Sequence, residues 1–171
     1  MTGALKSKEP GVGAVFAPAA GSVTEYQSGQ RRRHPGYRRD VERRTETQSI
    51  ESGADPESVV ALLAQPGGMP EWAPAFADMV TGEDRSGWRA TKDGREFSLR
   101  VVVNREACTV DYLREVAPGR EGGAYIRAVP RPGGGSVVIM TLPLLAGVDP
   151  AVTSATLRNE LNALARLAEG S

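Results

Sequence analysis

Apolar and polar positions fall into three regimes along the chain. Residues 1–45 scatter isolated apolar residues among Gly, Pro, Ser and Arg with neither a period of 2 nor one of 3.6, the pattern of a disordered tail. Residues 46–51 then alternate as a short polar strand, and Asp55-Pro56-Glu57 starts a helix. Asp55 caps it, Pro56 suits the first helical position, and Glu57 sits in the electropositive first turn. Val59, Val60, Leu62 and Leu63 give that helix a buried face before Pro66-Gly67-Gly68 ends it, and the segment from Pro70 to Pro74 leaves room for about one more turn.

Between residues 78 and 143 the pattern becomes one of short strands separated by turn chemistry. Residues 79–81 lead through an 82–87 turn into residues 88–91, and Lys92-Asp93-Gly94 is a hairpin signal. Phe97, Leu99, Val101 and Val103 alternate with Ser98, Arg100, Val102 and Asn104, as a half-buried strand does. Residues 108–113 and 124–129 add two strands, and Pro130 to Gly135 turn the chain into a last one over 136–142. Asp149-Pro150 repeats the start signal and opens a helix to about residue 168. Leu157, Leu161, Leu164 and Ala168 form its stripe, with Leu167 on the shoulder, while Arg158, Glu160, Asn162 and Arg166 take the wet side. A one-sided helix after a meander must cover a sheet face, so the pattern predicts one α+β domain over residues 46–171.

Composition fits a single globular core, since 171 residues carry 40% hydrophobic and 25% charged positions. The formal net charge of zero hides an asymmetry: residues 1–45 hold nine Lys and Arg against four Asp and Glu, and residues 46–171 hold twelve against seventeen. Weak nucleic-acid binding is therefore expected only of the basic tail, whose run at 31–44 offers Tyr37 for stacking. The plainer reading of that tail is a solvated segment, or upstream sequence ahead of a true start near Val41. No apolar run approaches the roughly 18 residues of a membrane span. Residues 14–20 imitate a signal peptide, but Pro18 interrupts them, and the single cysteine, Cys108, allows no intrachain disulfide. A cytoplasmic location is the expectation.

The sole histidine, His34, lies in the tail, so the domain builds no Ser-His-Asp or Cys-His triad, and neither a metal nor a cofactor is expected. Lys92, the domain's only lysine, reads as a solvated turn charge, and Cys108 as a small hydrophobe rather than a nucleophile. The 133–135 glycine run is a hairpin turn, because no Lys-Ser/Thr pair follows it. Acid–base work falls to Asp111, Glu96, Glu106 and Glu121, with Tyr112 and Tyr125 as weaker acids and Arg100 or Arg127 to stabilise an anion. Asp111 interrupts an apolar strand, so it either faces water or lies inside with an arginine. Arg100 and Arg127 have the same two readings, the plain one being cross-strand pairing. Trp72, Phe76, Trp88, Phe97, Tyr112 and Tyr125 either line a ligand site or fill the core. Leu161, at the centre of the helical stripe, completes the candidate ligand-binding set.

The order strand, two short helices, antiparallel strands and one long terminal helix resembles the START-like (SRPBCC) superfamily. The segment Pro70-Glu-Trp-Ala-Pro-Ala-Phe76, the hairpin with Gly94, and the stretch from Tyr125 to Gly133 resemble its small bacterial polyketide cyclase-like members in particular. The resemblance covers roughly residues 47–169 and is structural rather than catalytic. It implies a helix-grip fold, a curved antiparallel sheet wrapped around the C-terminal helix, with a cavity for a lipid, sterol, polyketide or other small hydrophobic molecule. Two functions follow as expectations. One is ligand binding, with Trp72, Trp88, Phe97, Tyr112 and Tyr125 as walls. The other is a polyketide cyclase or aromatase-type reaction in which Asp111, a tyrosine or an arginine assists proton transfer. A filled core would instead leave an interaction module.

Overall fold

Asp-Pro pairs open both longer helices as their chemistry requires. In the computed structural model, which describes residues 45–84 and 87–170, the Asp55 carboxylate accepts the Ser58 backbone N–H at 2.7 Å and starts α1, Pro56–Leu63. Asp149 accepts the Ala151 N–H at 2.8 Å and starts α3, Pro150–Glu169. A 3-10 turn at Pro66–Gly68 leads into the four-residue α2, Met69–Trp72. The expectations for the tail, including the basic run and His34, lie outside the described residues.

Seven strands form one antiparallel sheet: β1 Thr45–Ser52, β2 Met79–Glu83, β3 Gly87–Lys92, β4 Arg95–Asn104, β5 Thr109–Ala117, β6 Arg120–Pro130 and β7 Ser136–Pro143. Their order, β1-β7-β6-β5-β4-β3-β2, is a meander with the first strand added beside the last. β5 and β6 reach further than residues 108–113 and 124–129, because the charged and glycine-rich stretch between them continues as a paired hairpin. Cys108 belongs to the turn before β5, with a left-handed φ of 49°.

The sheet bends where its pairing changes. β4 pairs with β3 through Arg95 to Leu99 and with β5 from Arg100 onward, so a wedge opens between β4 and the end of β5. The β5–β6 register shifts between Glu115 and Ala117, a bulge that adds twist. At Gly123 a Cβ would stand 1.7 Å from the Tyr112 carbonyl oxygen, so glycine alone permits that approach of β6 to β5.

Alternation then assigns the faces. Val110 and Tyr112 of β5, Ala124, Ile126 and Ala128 of β6, and Val138, Met140 and Leu142 of β7 are buried on the inner face. α3 packs over this face with α1, and its Leu157, Leu161, Leu164 and Ala168 share one apolar core with Val59, Val60 and Leu63. Polar contacts fix both ends of α3 to β1. The Gln48 amide donates to Ser154 Oγ at 2.8 Å, and near the other end Ser52 Oγ and the Gly53 N–H both donate to Glu169 Oε1, at 3.0 and 2.7 Å. Lys92 is not a solvated turn charge: its ammonium donates to the Pro74 carbonyl at 3.0 Å and to Asp78 Oδ1 at 2.7 Å, tying the segment after α2 to β3.

Leu161 is 1% exposed, whereas Arg158 is exposed and reaches Gln48 Oε1 through one 3.2 Å hydrogen bond. Leu161→Ala is expected to cost roughly 2–5 kcal/mol in chemical denaturation, and Arg158→Ala under about 1 kcal/mol. Equal losses would contradict the assigned helix face.

Candidate functional site

Where α2 and α3 meet the inner face, the packing leaves a cavity with about 20 Å³ open to water centres, room for about one water molecule. Met69, Trp72, Ala73 and Phe76 close it from the α2 side, Tyr112, Ala124, Met140 and Leu142 from the sheet, and Glu160 from α3. The aromatic walls are braced. The rings of Trp72 and Tyr112 are tilted with centroids 5.8 Å apart, and Phe76 meets Phe97 edge-on at 5.5 Å. The Tyr112 hydroxyl donates a short hydrogen bond to the Leu63 carbonyl at the end of α1, a position that otherwise lacks an intrahelical donor. Burial pushes the Tyr112 phenol up and the Arg114 guanidinium, 4.9 Å over the Phe97 ring, down to about 10.

Glu160 is the acid in this lining, and the assignment of its side chain to the wet face is corrected. It is 8% exposed and points from the buried side of α3. No hydrogen bond or ion pair reaches its carboxyl from any described residue. Removal from water disfavours the charged form and pushes the carboxyl up to about 8, so at neutral pH the neutral acid dominates. The signal was present in the spacing. Glu160 stands three residues after Leu157 and four before Leu164, on the apolar stripe itself, so its spacing marks it as inward although its residue type favours the wet side.

The remaining expected site residues divide by strand parity. Trp72, Phe76 and Tyr112 line the cavity. Phe97 stands behind Phe76, while Trp88 borders the wedge between β4 and β5 and its indole donates to Asp84 at 3.1 Å. Leu161 is part of the solid core. Arg100, Asp111, Tyr125 and Arg127 lie on the outer face and do not join this site. Asp111 pairs across from Val102 and Tyr125, and Arg127 from Thr109 and Ile139; with Tyr112 and Ile126 pointing in, their neighbours point out. Arg100 engages Glu121 on that face, Nε to Oε1 at 3.0 Å, which holds the Glu121 carboxyl below its ordinary value. Partial burial raises Asp111, and the Arg100 charge opposes that rise. Glu96 pairs with Arg89 at 2.9 Å, and Glu106 borders a surface groove with Cys108 and Arg127. Among the described residues no group of His, Cys, Asp and Glu could hold a metal ion, and no helix is long and apolar enough to cross a membrane.

Residues 43–169 match the family described as "Polyketide cyclase / dehydrase and lipid transport". The fold is similar to that of the ZhuI aromatase/cyclase from Streptomyces sp. R1128, with 18% identity, a TM-score of 0.55, and coverage of 74% of this chain and 93% of that one. It is similar also to a START superfamily protein from Mycobacterium smegmatis, with 14% identity, a TM-score of 0.52, and coverage of 74% and 95%. A protein from Thermus thermophilus gives 14% identity and a TM-score of 0.55, with coverage of 74% and 97%. At such identities the likeness shows the helix-grip fold alone. No match was found among curated proteins.

The raised carboxyl has a signed consequence for stability. Between the ordinary 4.5 and about 8 the folded chain holds more protons at Glu160 than the unfolded chain does, so this group's stabilising protonation is fully present below that window and is lost as pH rises through it. The slope approaches 1.4 kcal/mol per pH unit, roughly, for one group. Chemical denaturation between about pH 5 and 8 is expected to show the wild type losing stability relative to Glu160→Leu. Parallel profiles for the two proteins would contradict the buried neutral acid.

Proposed function

The chain belongs to the polyketide cyclase / dehydrase and lipid transport family, and on that premise we propose that it binds one small apolar molecule, such as a lipid or polyketide, between the inner face of the sheet and α3. The carrying observation is the cavity where α2, α3 and the sheet converge, walled by aromatic and thioether side chains with one acid among them. Sites for small molecules commonly enclose about 300–1,000 Å³, so binding enlarges this one. The means are at hand. α2 is only four residues long and lies between Gly68 and Pro74, and Met69 and Met140 are unbranched side chains that re-pack at small cost.

A cyclase-type reaction is the second reading, favoured by one observation: an acid, Glu160, faces the cavity. The acid first expected there, Asp111, faces the other way. Either reading requires a bound small molecule, so binding is tested first.

Titration with the neutral fluorophore Nile red is expected to show one saturable site, competed by a phospholipid or an aromatic polyketide. Ala124→Leu, which fills the cavity from β6, is expected to weaken binding about ten-fold, while Arg89→Ala on the outer face leaves it unchanged. Thermal melts confirm that each variant is folded. A cooperatively folded wild type with no saturable site would overturn the proposal and favour the interaction module.

A further inference from the structure

We propose that Glu160 is the polar anchor of the cavity: as a neutral acid it donates a hydrogen bond to an acceptor oxygen of the bound molecule, and so selects apolar ligands that carry a ketone or ester carbonyl over hydrocarbons of the same shape. The inference rests on the ligand-binding reading above and adds to it the chemistry of recognition.

The geometry carries it. Glu160 is more than nine-tenths buried, lies between Leu157 and Leu164 on the inward stripe of α3, and lines the cavity with apolar and aromatic side chains. A leucine there would continue the stripe, whereas a carboxyl in an apolar wall gives up most of its hydrogen bonds with water and gains none from the described residues. A ligand oxygen supplies what the protein withholds.

The groups facing Glu160 leave this role to it. From β5, Tyr112 has committed its hydroxyl proton to the Leu63 carbonyl, and two residues on Arg114 lies over the Phe97 ring. From the inner row of β1, Glu46 accepts the Gln48 amide at 2.8 Å, and Arg158 of α3 donates to that same Gln48. The buried faces of α1 and α2 present Val59, Val60, Leu63, Met69 and Trp72, and β6 and β7 present Ala124, Met140 and Leu142, none of them ionisable. Among the described residues, therefore, no cation holds the Glu160 carboxyl in its charged, acceptor-only form, and burial favours the protonated donor. Trp72 also lines the cavity and carries an indole N–H donor, but that group does not titrate, and the difference separates the two.

The test compares 2-acetylnaphthalene with 2-isopropenylnaphthalene, in which a methylene replaces the carbonyl oxygen, by isothermal titration calorimetry. Wild-type protein near pH 6.5 is expected to bind the ketone about ten-fold more tightly than the alkene, because only the ketone completes the buried donor. That preference is expected to survive Glu160→Gln, which keeps an N–H donor, and to vanish in Glu160→Leu. Raising the pH to about 9 is expected to erode the preference in the wild type and leave the Gln variant flat. Equal affinity of the wild type for both compounds, or a preference indifferent to pH and to Glu160→Leu, overturns this inference while the binding reading stands. Failure of either compound to bind the folded wild type overturns both. The wild-type comparison and its pH profile stand by themselves should a variant fail to fold.

Discussion

A single amphipathic helix about 10–12 Å across cannot cover a flat sheet of seven strands, which at their usual spacing spans roughly 29 Å. The molecule therefore has to bring the sheet to the helix. Three local features do so: β4 changes partner at Leu99 and Arg100, a bulge interrupts β5 between Glu115 and Ala117, and Gly123 lets β6 approach the Tyr112 carbonyl. At the opposite edge, β1 holds α3 through Gln48, Ser52 and the Gly53 N–H, so a polar seam sets the helix's position while leucines fill the interior. α1 and α2 cover what α3 leaves.

Cover by three helices of unequal length leaves a gap at the junction of α2 and α3. That gap coincides with a buried residue whose polarity the packing does not require. Tyr112 shows how the same fold treats a buried polar group when only structure is at stake, since its hydroxyl is fully engaged by the Leu63 carbonyl. Glu160, in the same cavity wall, has no such partner among the described residues. A site that breaks the consistency of its surroundings is where function is expected to reside, because stability alone would have removed it.

Much of this was legible in the sequence. Asp-Pro chemistry announced both longer helices, Asp93-Gly94 the β3–β4 hairpin, and the leucine spacing the inward face of α3, because each is a local signal with a local cause. The β5–β6 hairpin extends past the expected strands at Arg114, Glu115, Glu121 and the Gly122-Gly123 pair, where charge and glycine mimic a loop: Glu115 and Glu121 take the wet face, while Arg114 is buried over the Phe97 ring. The candidate site failed in an instructive way. Asp111 and Tyr112 are adjacent in one strand, as are Tyr125 and Ile126, so they cannot share a face; grouping aromatic and ionisable residues by type overrode the period of two that the sequence already displayed. Glu160 was missed for the same reason on a helix.

Ligand recognition in this molecule turns on a carboxyl group kept neutral by burial in the wall of a cavity. Carbon-13 NMR of protein labelled at the glutamate side-chain carboxyls, with Glu160 assigned by comparison with Glu160→Gln, reads that state directly. A Glu160 resonance that titrates with a midpoint near 8, well above the exposed glutamates, is expected. A midpoint in the ordinary carboxylate range, near 4.5, would contradict it.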